Sequence, residues 1–191
     1  MQVGFGRLGT HFWGFETQNV IPDIVVLGKP IGNGFPLAAV ITTPEIARSF
    51  DNGMEFFSTF GGNPVACAAG LEVLKVVEEE NLPERALRVG NYLKELLLAL
   101  QREYPIIGDV RGSGLFLGVD LVLDPVTRSA ATAQAAYVVN RLRECGVLTG
   151  TDGPFNNVIK LRPPLIISER DVDIFMGIFR RLLAEDPAQP I

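Results

Sequence analysis

The chain has 191 residues, 47% of them apolar, and 17 Lys+Arg against 22 Asp+Glu give a formal charge of −5. That length admits one or two domains with a sizeable core, and the moderate charge excludes a disordered chain. The acidic balance argues against a broad grip on nucleic-acid phosphates, and no apolar run is long enough to span a bilayer. Cys67 and Cys145 with the single His11 make neither a disulfide framework nor a metal site. Residues 1–20 lack a basic start followed by an apolar stretch, so no secretory leader is read and a cytoplasmic setting is expected.

Glycines are dense from Gly4 to Gly34, which predicts loops where backbone turns tightly or approaches a ligand. Ile24–Leu27 is a short β-branched run and predicts a buried strand, with a second strand over Pro36–Thr42. Thr43-Pro44-Glu45 predicts a helix start, followed by a short helix over 46–50. Asn63-Pro64 opens another helix. Ala66, Ala69, Gly70, Val73 and Val77 keep helical spacing, and the small residues among them predict close approach to another backbone. The pattern stops near Leu82-Pro83. Leu87, Leu93, Leu96, Leu97 and Leu100 then carry an amphipathic helix to about Tyr104, expected to connect two domains. Beyond Pro105, Val110-Arg111 and Leu115–Val122 predict extended segments around a turn at Gly112-Ser113-Gly114. Ala130–Cys145 predicts a helix, and Val147-Leu148 and Val158–Leu161 predict short strands. Ser168 caps a last helix to about Ala184, and residues 185–191 are expected to fray. The alternation predicts an α/β or α+β second domain. The expected divisions are 1–82, 83–104 for the connecting helix, 105–186 and a tail at 187–191.

Three features carry candidate chemistry. Lys29, one of four lysines, ends an apolar strand between Gly28 and Pro30, and Pro30 biases it toward an extended conformation. Desolvation lowers an amine's pKa, which a Schiff-base lysine needs; the pattern alone favours a strand-end lysine reaching water by its stem. Thr59-Phe60-Gly61-Gly62-Asn63-Pro64 joins a hydroxyl, two glycines and a helix start. That is either an anion site or an ordinary helix entry capped by Asn63. Lys160 and Arg162 share one strand face, as a clamp for carboxylate or phosphate or as solvated edge charges.

Gln2-Val3-Gly4-Phe5-Gly6-Arg7, Pro22-Asp23-Ile24 through Gly28-Lys29-Pro30-Ile31-Gly32-Asn33-Gly34, and Thr59–Pro64 resemble the class III pyridoxal-phosphate-dependent aminotransferases, which are fold-type I α/β enzymes. The resemblance implies the C-terminal part of the cofactor-binding large domain over 1–82 and the small C-terminal domain over 105–186. It implies that Lys29 forms an imine with pyridoxal 5′-phosphate and later removes the substrate's α-proton. It implies that Thr59 binds the cofactor phosphate, across the interface of a homodimer, and that Gln2 contacts the phenolic oxygen. No metal is implied. The family places an aspartate three residues before this glutamine, with a phosphate loop and a stacking aromatic further upstream. The chain begins at Met1, so weak cofactor binding and little turnover are expected of it alone.

The implied reaction is amino transfer between an amine or amino acid and a keto acid, with Lys160 and Arg162 receiving the substrate anion. The stretch from Asp152-Gly153-Pro154 to Asn157-Val158-Ile159-Lys160 resembles the family's phospholyase branch. An alternative is therefore elimination of phosphate and ammonia from a phosphorylated amino alcohol such as phosphoethanolamine. A third reading is a non-catalytic remnant of the fold.

Overall fold

The structure, a computed structural model, describes residues 3–188. The chain divides into two compact units: residues through Gly6 with His11–Pro83, and Arg7–Thr10 with Glu84 onward.

In the first unit, β1 (Ile24–Leu27) pairs antiparallel with β2 (Ala39–Thr42), Ile24 opposite Thr42 and Leu27 opposite Ala39. Burial departs from the expectation for β1. Leu27 is buried, whereas Val26 is 66% exposed and its register partner Val40 is 64% exposed. An apolar run supplies one side of a contact; a covering layer must supply the other, and the described residues of this unit do not. Helix α1 (Pro44–Phe50) starts with Thr43 Oγ1 accepting the Ile46 N–H and Pro44 at its first position, where a missing N–H costs nothing. Helix α2 (Pro64–Glu79) buries Ala66, Gly70 and Val77. A Cβ at Gly70 would lie 2.4 Å from Leu37 Cδ2 and 3.6 Å from the Ile31 carbonyl oxygen. The small residues thus let the loop after β1 seat directly on the helix. Near the chain start, Phe5 and Phe12 each meet Trp13 edge-on and meet one another at a tilt.

Asn81, left-handed with φ +48°, ends the α2 run before α3 (Leu82–Glu103) begins. From Glu84 this helix belongs to the second unit, and Ala86, Val89, Leu93, Leu97 and Leu100 enter that unit's core. Strands β3 (Ile107–Ser113), β4 (Phe116–Leu121), β5 (Gly150–Asp152) and β6 (Val158–Leu161) form one antiparallel sheet in the order β3-β4-β6-β5. Along β4, Leu117, Val119 and Leu121 are buried while Gly118 and Asp120 alternate outward, the period of a sheet packed on one face. Helices α4 (Thr132–Glu144) and α5 (Glu169–Leu183) complete the core with Val138, Leu142, Phe179 and Leu182. Ser168 and Asp171 close a reciprocal capping box at the start of α5.

Two expectations for this unit are corrected. Val147-Leu148 is not a strand: the Val147 N–H bonds the Leu142 carbonyl at the end of α4, and Leu148 is exposed. The strand is Gly150–Asp152, selected by pairing with Val158–Lys160. Nor do residues 185–188 fray. Glu185 accepts from Tyr137 and Arg141, and Ala188 is fully buried at the end of a 3-10 turn.

Candidate active site

Lys29 opens a 3-10 turn, Lys29–Gly32, directly after β1. Its backbone is left-handed, φ +51°, and not extended as the sequence suggested. Pro30 disfavours the right-handed helical region for its predecessor; the turn is entered instead through positive φ, a costly conformation for a lysine. The surroundings hold it there. Ile31 and Gly32 are buried, and Asn33 N–H closes the turn on the Pro30 carbonyl at 3.1 Å. The lysine side chain is exposed, so the described residues do not supply the desolvation expected around its amine.

Thr59 is exposed on the segment leading to α2. The start of α2 is not an open anion cradle. Asn63 Oδ1 accepts from the Val65 and Ala66 N–H groups at 3.0 and 3.1 Å, so two free donors of the first turn are already used. Two glycines of these segments are open, since a Cβ at Gly34 or Gly62 would meet nothing within 4 Å, whereas one at Gly61 would lie 2.9 Å from Ser58 Oγ. Among the described residues no hydrogen bond links Lys29 with Thr59. Gln2 lies outside the described residues.

In the second unit, Lys160 and Arg162 line the same cavity of about 490 Å³, with Leu161, Pro163, Asp171 and Phe175 among its walls. The structure brings these two cations together, in different states. Lys160 Nζ donates to Asp152 Oδ2 at 2.7 Å across the β5–β6 pair. The Lys160 hydrogen bond, then the Gly153 N–H, hold the Asp152 carboxyl below the ordinary carboxylate range. Arg162 stands just past the end of β6 and is exposed. Behind it Arg7 Nη1 donates to the Leu115 carbonyl at 3.1 Å and the Pro163 carbonyl at 2.6 Å. Burial, and secondarily the Arg162 charge, lower the Arg7 pKa. On the outward face of the sheet Arg111 bridges Asp109 and Asp120, at 2.9 and 3.0 Å. The buried Asn157 ties Asp120 to the Leu121 carbonyl. Sequence reasoning missed Asp152 and left Arg7 without a role. The available signal was the Asp-Gly turn six residues before β6, which sets a hairpin register.

The class III aminotransferase family model matches residues 1–183. The chain belongs to the class III aminotransferases. It is 51% identical over 185 residues to the alanine–glyoxylate aminotransferase 2-like protein of Drosophila melanogaster, covering 96% of this chain and 37% of that protein. It is 45% identical to human mitochondrial alanine–glyoxylate aminotransferase 2, covering 97% of this chain and 36% of that protein. Among solved structures, a phospholyase from Arthrobacter in complex with phosphoethanolamine matches with TM-score 0.92 and 41% identity, over 96% of this chain and 44% of that one. A Bacillus anthracis aminotransferase matches with TM-score 0.86 and 38% identity, over 95% of this chain and 42% of that one. A PLP-bound amine transaminase from an uncultivated Pseudomonas species matches with TM-score 0.83 and 37% identity, over 95% of this chain and 42% of that one. The fold is therefore that of the fold-type I α/β transferases, and the chain spans just over a third of the length of these curated relatives. The family and the PLP-bound neighbour imply pyridoxal phosphate as the cofactor.

Proposed function

We propose that this aminotransferase chain serves PLP-dependent amino transfer between an amine or amino acid and a keto acid, with Lys29 as its reactive amine. The observation that carries the reading is the backbone of Lys29. A non-glycine residue at φ +51° before a proline is strained, and the buried Ile31-Gly32 turn seated on α2 keeps it so. Strain held in this way concentrates where a side chain must be presented in one fixed pose.

The residues fit the cofactor. A solvent-reachable primary amine suits an aldehyde, and the Thr59 hydroxyl near the open backbone of Gly62 suits a phosphate. When bound, the cofactor supplies an aldehyde for amines and a ring that withdraws electrons from the neighbouring carbon. Lys29 Nζ would hold it, and as a free amine would act as the base for the proton at the substrate's α-carbon. Thr59 would donate to the phosphate, in a homodimer across the subunit boundary, and Gln2 would contact the ring's phenolic oxygen. Lys160 and Arg162 receive the substrate anion.

Borohydride reduction after incubation with pyridoxal phosphate, followed by peptide mass mapping, tests this directly. Lys29 is expected to carry most of the label and Lys29→Ala to lose it. Undiminished labelling of the variant removes Lys29 from the role.

One observation favours phosphate elimination as a second reading: the Arthrobacter phospholyase captured with phosphoethanolamine superposes on 96% of the chain. Holoenzyme incubated with phosphoethanolamine separates the two. Phosphate release without a keto acid supports elimination; amine transfer that requires a keto acid, with no phosphate release, supports transamination.

A further inference from the structure

The Arg7–Thr10 segment belongs to the second unit, while the residues on either side of it belong to the first. Its base is pinched within the first unit, where the Gly6 N–H donates to the Phe12 carbonyl at 3.0 Å. Gly6 also lies against Pro83, the last residue of that unit, since a Cβ at Gly6 would stand 3.0 Å from Pro83 Cγ. The points at which the chain leaves the first unit are thus gathered together.

In the second unit the segment is locked backbone against backbone. The Arg7 carbonyl accepts the Leu115 N–H at 3.0 Å, and Arg7 Nη1 donates back to the Leu115 carbonyl at 3.1 Å. The same Nη1 donates at 2.6 Å to the carbonyl of Pro163, part of the wall of the 490 Å³ cavity. Leu8 is buried. Glycines let the main chains close up. A Cβ at Gly9 would lie 2.6 Å from the Leu87 nitrogen of α3, and one at Gly114 would lie 2.5 Å from the Arg7 and Leu8 carbonyl oxygens. Both glycines are left-handed, φ +75° and +52°, so a side chain there is strained as well as obstructed.

Docking this segment beside Leu87 closes a loop over residues 11–83. That closure is entropically costly while 11–83 is a coil, and the folded first unit has already met the cost. The docked segment in turn holds the ends of the first unit's chain. We propose that Arg7–Thr10 is a strap that makes the folding of the two units one cooperative event, with Arg7 and Gly9 as the residues that fasten it.

The chain carries its own probes. Its one tryptophan, Trp13, lies in the first unit against Phe12, and its three tyrosines, Tyr92, Tyr104 and Tyr137, lie in the second. Urea unfolding of the fluorotyrosine-labelled chain, followed by Trp13 fluorescence and by fluorine NMR, is expected to give coincident curves. Arg7→Met and Gly9→Ala are expected to separate the two midpoints by about 0.5 M or more. Val138→Ala, a core change away from the strap, is expected to lower both midpoints together. Separate transitions in the unaltered chain, coincident ones in both strap variants, or an equal separation in Val138→Ala overturn the proposal. Hydrogen exchange tests the unaltered chain alone, should the variants fail to fold. The Leu115 amide, whose acceptor is the strap, is expected to exchange with the slowest amides of β4; exchange about ten-fold or more faster shows the strap opening locally and overturns the proposal.

Discussion

Asn63 decides how the Thr59–Pro64 segment works. Its side-chain oxygen closes the Val65 and Ala66 donors, so the first turn of α2 has two fewer N–H groups to offer an anion. Asn63→Ala is expected to lower stability by about 1 kcal/mol, the usual cost of a lost N-cap, read as a shift in urea midpoint. Lys29 shows how far a residue is legible before its structure. The Gly-Lys-Pro setting marked it out, because an apolar strand has little use for a lysine at its end. Its backbone was not legible, because Pro30 biases its predecessor toward an extended conformation and only the buried turn that follows holds it left-handed. The Lys160–Asp152 pair lay further out of reach. Whether two charges meet across strands depends on register, and register follows from where β5 begins.

At the scale of elements, α3 shows why a helix that reads as a connector behaves as a core member. Leu93, Leu97 and Leu100 are buried along one stripe, and Gly90 lets the β3–β4 turn approach its backbone. A Cβ at Gly90 would lie 2.2 Å from the Gly114 carbonyl oxygen. Gly90→Ala is therefore expected to destabilise the second unit by about 2 kcal/mol or more despite the better helix propensity of alanine, measured as a lowered melting temperature. The helices were legible from periodicity and caps: Asn63-Pro64, Thr43-Pro44 and Ser168 with Asp171 each stand where the chain enters a helix. The strand at 150–152 was not, because Gly-Thr-Asp has no apolar alternation and owes its conformation to its partner. The Ala188 anchor was hidden for a similar reason, since a small residue near a chain end carries no local signal of burial.

Across the whole molecule, the second unit holds a set of carboxylates below their ordinary range. Backbone N–H groups of Thr127 and Val126 act on Asp124, the Lys160 ammonium on Asp152, the Ser168 hydroxyl on Asp171, and the Arg141 guanidinium on Glu185. Each folded pKa is lower than its unfolded counterpart. Their contribution is therefore fully present above the unfolded carboxylate range, about pH 4, and is lost as pH falls through the depressed folded values. Urea midpoints taken at stepped pH are expected to hold steady from neutrality to about pH 5 and to fall steeply below pH 4; a decline that begins near neutrality would contradict this.

The β1–β2 hairpin has a consequence for how the chain behaves in solution. Among the described residues it has two strands and therefore two unpaired edges, and Val26 and Val40 are exposed side by side. Open edges beside apolar side chains are a template on which further strands add. The formal charge of −5 sets copies apart, but that repulsion reaches only about 8 Å at physiological salt. Raising the ionic strength is then expected to shorten the time a preparation stays monodisperse, read by light scattering.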